Sequence, residues 1–207
     1  MGAHGRSALH GVGAPDDAPR RRAAVLAGYS GDATTALTYL EDDDPATRAA
    51  ALGALVRLGV VDAGVTTRAL ADPSALVRCR AAELAASLED PDFLPLLSDE
   101  DAGVVEAACF AVGELRDAKA VATLCRIAAE HTDALCRESA VAALGSIGDP
   151  AGLPAILQAL EDRPAVRRRA VIALAPFEGE DVTAALEKAL TDRDWQVRQA
   201  AEDQLRP

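Results

Sequence analysis

Aromatic residues are scarce in this chain of 207 residues: one Trp, two Tyr and three Phe make up 3% of it. Half of the residues are nevertheless apolar, so the apolar residues are mainly Ala, Leu and Val. This composition suits closely packed helices better than the core of a sheet. No sustained alternation of polar and apolar residues between Asn-Gly or Asp-Gly turns is found, so strands are not predicted.

Positive charge is also in deficit, with 21 Lys and Arg against 33 Asp and Glu and a formal net charge of -12. Nucleic acids and anionic membranes both attract basic surfaces, so we expect neither as a partner. No apolar run approaches the length of a membrane span. Residues 1–16 contain no apolar signal core, and we predict a disordered N-terminal lead-in and a cytoplasmic protein.

Residues that commonly carry chemistry are few and scattered. The four cysteines, at positions 79, 109, 125 and 136, form no CxxC pair and match no zinc spacing. Of the three histidines, His4 and His10 lie in the predicted lead-in and His131 stands alone. The chain also has no Gly-rich phosphate loop and no nucleophile elbow. We therefore predict no catalytic residue, no metal and no cofactor.

What the chain has instead is a motif that returns about every thirty residues. An Arg is followed by Ala at the third position and by apolar residues at the seventh and tenth, all on one side of a helix. Copies begin at Arg48, Arg78, Arg137, Arg167 and Arg198, and a weaker copy begins at Val105. A fixed period of this length is typical of stacked structural repeats.

A second helical stretch lies between successive motifs. Residues 151–161, for example, place Leu153, Ile156, Leu157 and Leu160 on one stripe, and Asp-Pro pairs mark the turns between helices. Cys136 and Cys109 occupy positions that other copies fill with aliphatic residues, which predicts small buried side chains. The predicted fold is an all-α solenoid over residues 17–207, with about six antiparallel helix hairpins and an extra N-terminal helix over 20–28.

The segments DPAGLPAILQALEDRPAVRRRAVIALAPF and DPATRAAALGALVRLG resemble HEAT repeats, in particular the short bacterial, phycobilisome-lyase-like type. The resemblance covers residues 20–207. It implies that the motif helices line the concave side and that an acid six residues before each Arg pairs with Arg in a ladder between repeats. That position holds Asp42, Asp72, Asp99 and Asp192, and in two copies Glu161 and His131.

Two copies depart from this pattern around one junction. Val105 stands in place of the Arg, and His131 stands in place of the acid. The spacing between motif starts is irregular in the same region. We therefore predict a break in regular stacking over residues 117–133.

Candidate binding residues come from the positions that the scaffold leaves free. Positions two, five and nine after each motif start lie opposite the Ala–Leu stripe and vary in character, as a binding groove or neutral drift would produce. We predict partner contacts on the concave face at Arg80, Glu83, Phe110, Glu114, Arg169 and Ile172. Exposed aromatic and large apolar residues are often centres of binding energy. For Phe110, burial in the core is the alternative.

The predicted function is a non-catalytic scaffold that binds another protein or a peptide segment along the concave face. The chain also resembles deoxyhypusine hydroxylase in fold, an enzyme that binds two irons through His-Glu pairs. The chain has no His-Glu pair, so we do not expect that activity. The alternative is an enzyme or enzyme accessory of the bilin-lyase or chaperone type. A bound bilin would be visible in the absorbance of the purified protein.

Overall fold

The computed structural model describes residues 17–206, so the predicted lead-in of residues 1–16 lies outside the described part. Residues 17–206 form α-helices and short 3-10 helices without any strand, which confirms the all-α prediction. The α-helices are α1 (Ala18–Ser30), α2 (Ala33–Tyr39), α3 (Pro45–Leu58), α4 (Ala63–Leu70), α5 (Ala75–Glu83), α6 (Ala102–Glu114), α7 (Val121–Glu130), α8 (Ala134–Ile147), α9 (Leu153–Ala159), α10 (Pro164–Ala173), α11 (Glu180–Ala189) and α12 (Trp195–Leu205). The 3-10 helices are Ala85–Ser87, Pro95–Ser98, Ala118–Ala120 and Pro150–Gly152.

The helices form two layers. One layer, which we call the motif layer, consists of α1, α3, α5, α6, α8, α10 and α12, each packed against the next. Helices α2, α4, α7, α9 and α11 pack against the motif layer and form the second layer. Each motif helix after α1 thus pairs with the element before it, and the predicted solenoid of stacked hairpins is confirmed. Helix α1 is the extra N-terminal helix and belongs to the motif layer.

Aspartates define where the motif helices begin. In α3, α6, α8 and α12 the residue before the helix is an Asp whose side chain accepts hydrogen bonds from first-turn N–H groups. Such caps satisfy backbone donors that have no partner within the helix. Two residues earlier, the ladder Asp accepts the N–H of the capping residue, for example Asp99 from Asp101 at 2.9 Å. His131 takes over this turn contact, because its Nδ1 accepts the N–H of Asp133 at 3.1 Å.

Small residues set the spacing of the motif layer. The Ala three positions after each motif start is fully buried in every copy. Gly28, Gly113 and Gly145 provide a second contact of this kind. A Cβ atom built on them would lie 2.9, 3.0 and 2.7 Å from the Cα of an Ala in the next motif helix. Neighbouring motif helices therefore approach closely enough to exclude any side chain at these positions.

Stacking is not interrupted over residues 117–133, so the prediction of a break there is wrong. Helix α7 is regular, and its Leu124 and Ile127 are buried in the same core cluster as Val112 of α6 and Leu144 of α8. The irregular region lies earlier, over residues 84–98, where a 3-10 turn follows α5 and the 3-10 helix Pro95–Ser98 replaces the first helix of the next hairpin. Pro residues interrupt regular helix there, and Phe93, only 1% exposed, fills the space. This region explains why twelve α-helices are found rather than about thirteen in the described residues.

Candidate functional site

The motif arginines form a ladder of partly buried ion pairs along one edge of the stack. Arg78 donates from Nε and Nη2 to the carboxylate of Asp99 at 2.7 and 2.8 Å, and from Nη1 to the backbone oxygen of Asp72 at 2.7 Å. The same two-bond fork joins Arg48 to Asp72, Arg137 to Asp162 and Arg167 to Asp192. Each of these arginines also donates from Nη1 to a backbone oxygen in the turn before its own helix. Two parallel bonds to one carboxylate use the full fork of the guanidinium. These arginines are therefore occupied in joining repeats, as the ladder prediction requires.

One ladder position differs from the prediction. Asp162, five residues before Arg167, is the ladder acid, and Glu161 is not. The turn before α10 is one residue shorter than the turn before α3, which moves the acid by one position. Glu161 instead pairs on the surface with Lys188 at 2.7 Å.

Each Arg–Asp pair of the ladder is called a rung below. Val105 and His131 occupy the two positions of one rung that is missing. By the ladder pattern, an Arg at position 105 would reach the side chain at position 131, and the chain has Val and His at these positions. The flanking rungs are intact, because Asp99 binds Arg78 and Arg137 binds Asp162. Val105 is buried in the core instead of forming a rung.

The exposed side of the motif layer, opposite its buried Ala–Leu stripe, is called the motif face below. All six predicted contact residues lie on motif helices with their side chains at least partly accessible: Arg80, Glu83, Phe110, Glu114, Arg169 and Ile172. Phe110 is 60% exposed and Ile172 40% exposed, so the alternative of a buried Phe110 is wrong. Arg80 pairs with Glu83 at 2.8 Å, and Arg169 contacts Glu138 at 3.3 Å.

Three neighbouring hollows lie along the motif face. The central hollow, about 330 Å³, has small residues of α8 as its floor, with Phe110 and Glu114 of α6 on one side and Arg169 of α10 on the other. A hollow of about 320 Å³ on the opposite side of Phe110 is lined by Cys79 and Glu83. A third, about 200 Å³, lies over α3 between Val25 and Arg80. Ile172 is exposed on α10 but is not among the residues that line these hollows.

Two larger hollows, about 420 and 470 Å³, lie at the ladder edge. They are lined by the rung pairs Arg167–Asp192 and Arg48–Asp72, whose charged atoms already bind each other. The two hollows recur at equivalent places in two repeats, so they are a consequence of the stack rather than a specific site. The motif face, with its exposed apolar side chains, is the stronger candidate.

Sequence reasoning missed several residues on the motif face. Glu106 lines both hollows beside Phe110, and Ser139 does so from α8. Glu106 and Glu138 stand one position after their motif starts, whereas the predicted contacts come from positions two, five and nine. Including that position on the same helical face would have found them.

The cysteines lack the features of reactive thiols. Cys109 and Cys136 are buried, which confirms the prediction of small core side chains. Burial raises the pKa of Cys109 to about 12 and that of Cys136 to about 11, so both are protonated at neutral pH. Within residues 17–206, no group of three or more His, Cys, Asp or Glu is placed to hold a metal ion. Nor does any helix in this range combine the length and hydropathy needed to cross a membrane.

Comparison with known proteins finds one matching family model and several similar structures. The family model described as HEAT repeats matches residues 63–145, 91–164 and 124–206. No curated protein matches the sequence significantly. Among solved structures, YibA of Escherichia coli is 17% identical with a TM-score of 0.60, covering 98% of this chain and 77% of that one. An engineered protein is 22% identical with a TM-score of 0.63, covering 84% and 97%.

A third similar structure is a designed armadillo repeat protein in complex with the peptide (KR)4. It is 16% identical to this chain, with a TM-score of 0.51, and the match covers 93% of this chain and 94% of that one. At such identities these likenesses concern the fold alone.

Proposed function

The chain belongs to the HEAT-repeat family, and from this premise we propose that it is a non-catalytic scaffold that binds another protein along the motif face. The observation that carries the proposal is the exposure of Phe110 between two hollows of the motif layer. Exposed apolar groups that border a groove are typical of interaction sites. The resemblance to HEAT repeats supports a concave position for this face, and we include that position in the proposal.

The shape of the motif face favours an extended partner. Seven motif helices lie side by side, and at 8–10 Å per helix interval they present a face about 50–60 Å long. A peptide segment or an amphipathic helix suits a groove of this length. The designed armadillo repeat protein of similar fold was solved with a peptide, which supports a peptide-like partner here.

The arrangement of side chains favours binding over catalysis. The ladder arginines are bound in rungs, and Cys109 and Cys136 are protonated at neutral pH. The alternative of a bilin-lyase-type enzyme or accessory has no observation in its favour among the described residues. The six predicted contacts, Arg80, Glu83, Phe110, Glu114, Arg169 and Ile172, remain our proposal for the partner-binding set.

Affinity capture with the tagged full chain tests this function. Wild type, a Phe110→Ala/Arg169→Ala double variant and a Leu37→Ala/Arg68→Ala control are incubated with native host lysate, and captured proteins are quantified by mass spectrometry. The control removes an exposed large apolar residue of α2 and an exposed Arg of α4, both in the second layer and outside the motif face. Circular dichroism melts establish that all three chains are equally folded.

We expect a partner that the wild type and the control capture equally and that the Phe110/Arg169 variant captures at least about fivefold less. Capture that is the same for all three chains contradicts the proposed function. Equal loss in the control and the Phe110/Arg169 variant also contradicts it, because binding would then not depend on the motif face.

A further inference from the structure

Charge is unevenly distributed along the motif face. Helices α6 and α8 place Glu106, Glu114 and Glu138 on this face, whereas the one basic residue of these two helices, Arg137, is bound in the ladder. Arg80 of α5 and Arg169 of α10 lie on either side of this acidic stretch. The centre of the face is therefore acidic, and its flanks are basic.

Two carboxylates in the acidic stretch are left without a counterion. Glu138 contacts Arg169 at 3.3 Å, and Glu83 beyond α6 is paired with Arg80 at 2.8 Å. Within residues 17–206, no basic side chain lies within ion-pair distance of Glu106 or Glu114. These two groups are the unneutralised negative charges that border the central hollow.

The two unpaired carboxylates flank the exposed aromatic ring. Glu106, Phe110 and Glu114 follow one another at intervals of four residues, so they form a single stripe along one face of α6. Their Cα atoms are about 6 Å apart along the helix axis. A phenyl ring attracts a cation over its face, and a carboxylate at each end of the ring adds ion pairing.

We propose that the Glu106–Phe110–Glu114 stripe binds a Lys or Arg side chain of the partner, which therefore presents a short basic segment to the centre of the motif face. This inference rests on the proposed function and specifies the partner's chemistry. An apolar neighbour of the basic residue would contact Ala142 and Ala143 on the floor of the central hollow. The guanidinium plane of Arg can stack on the ring and bind the carboxylates at its edge.

The flanking arginines limit the length of the basic segment. Helices α6 and α8 are separated by about 10 Å, which about three residues of an extended chain span. A longer basic run would bring its charges against Arg80 and Arg169. The motif face therefore selects a few basic residues bounded by neutral or acidic ones, rather than a long polybasic tract.

Selection from a phage-displayed library of random dodecapeptides on the full chain tests the inference. The selected peptides are synthesised, and their Kd values are measured by fluorescence polarisation with four chains. These are wild type, Phe110→Ala, Glu106→Gln/Glu114→Gln and the control Glu180→Gln/Glu187→Gln. The control removes two exposed carboxylates from α11 in the second layer, so the net charge changes equally.

We expect peptides with one to three Lys or Arg residues beside an apolar residue. Their Kd should rise about tenfold with Phe110→Ala and with the Glu106/Glu114 variant, and less than about twofold with the control. An equal rise in the control overturns the inference, because attraction to the overall negative charge would then explain binding.

Peptides that depend on Phe110 but lack basic residues overturn the inference and leave the proposed function in place. Peptides that bind equally to wild type and Phe110→Ala, or a library that yields no binder, count against the proposed function itself.

Discussion

At the scale of single residues, the arginines of this chain have two distinct roles. A ladder arginine such as Arg78 is nearly buried and makes three hydrogen bonds, of which two join it to Asp99 of the next repeat and one fixes the turn before its own helix. A motif-face arginine such as Arg80 or Arg169 is more accessible and has one carboxylate contact. Breaking a partly buried pair costs more than breaking an exposed one. Substitutions in the ladder should therefore affect stability, and those on the motif face should affect binding.

The ladder predicts loss of stability in acid. The hydrogen bond from Arg78 keeps the pKa of Asp99 below its ordinary value of 3.8, and Arg137 and Arg167 act likewise on Asp162 and Asp192. A carboxyl with a lower pKa in the folded state stabilises the fold above its ordinary pKa, and this stabilisation is lost as pH falls below about 4. The free energy of unfolding in urea should decline over this range, and less steeply for Asp99→Asn. Equal slopes would show that this rung does not contribute.

The missing rung predicts coupling between positions 105 and 131. Val105→Arg alone should destabilise the fold, because it places an unpaired guanidinium in a buried site. Adding His131→Asp supplies the carboxylate that the ladder uses elsewhere, so the double variant should recover about 1 kcal/mol or more relative to additivity. Urea unfolding of the four chains gives this coupling energy. Strict additivity would mean that the ladder geometry does not extend to this junction.

At the scale of helices, the motif layer depends on residues that have almost no side chain. Gly145 of α8 lies against Ala173 of α10, and Gly113 of α6 lies against Ala143 of α8. Ridges of larger side chains would hold the helices further apart. Small residues also form the floor of the central hollow. Small side chains therefore both allow the close packing of the motif helices and shape the motif face.

Gly145→Ala should destabilise the fold by about 1–3 kcal/mol, because the new Cβ would lie 2.7 Å from the Cα of Ala173. Gly53→Ala is the matched control. Its Cβ would meet only the flexible guanidinium of Arg80 at 3.2 Å, so the substitution should be neutral or stabilise the helix by up to about 1 kcal/mol. Thermal and urea unfolding compare the two variants. Equal effects would contradict the close approach of α8 and α10.

The sequence predicted the elements wherever local pattern decides them. The recurring Arg and Ala identified the motif helices, and the phase of Phe110 on α6 predicted an exposed ring. The structure of residues 84–98 could not be predicted from the sequence. There the buried Phe93 packs into the core in place of a regular helix, and such a tertiary contact leaves no periodic pattern in the sequence. In the ladder, Asp162 forms the pair that was predicted for Glu161. The turn there is one residue shorter, and a fixed six-residue spacing does not detect this.

At the scale of the whole molecule, the core is divided at α5. One cluster of buried residues extends from Ala27 to Ala81, and the other extends from Ala82 to Ala201. In a repeat protein each unit contacts only its neighbours, so the stability of the stack varies along its length. The irregular residues 84–98 lie at the border between the two clusters.

Hydrogen exchange should therefore be faster over residues 84–98 than over α7 and α8. The 3-10 turns have fewer regular backbone hydrogen bonds, whereas α7 and α8 pack into a continuous core. Native-state exchange followed by mass spectrometry resolves these segments. Slower exchange over 84–98 than over 121–147 would mean that the missing rung weakens the stack more than the irregular turns do.

The central claim is that the motif face binds the partner, and hydroxyl-radical footprinting tests it most directly. The full chain is labelled alone and with the captured protein or a selected peptide, and modification of exposed side chains is quantified. The account predicts a severalfold fall in modification of Phe110, with the exposed Leu37 of α2 in the second layer unchanged. Unchanged modification of Phe110 together with protection of Leu37 or of other second-layer residues would contradict it.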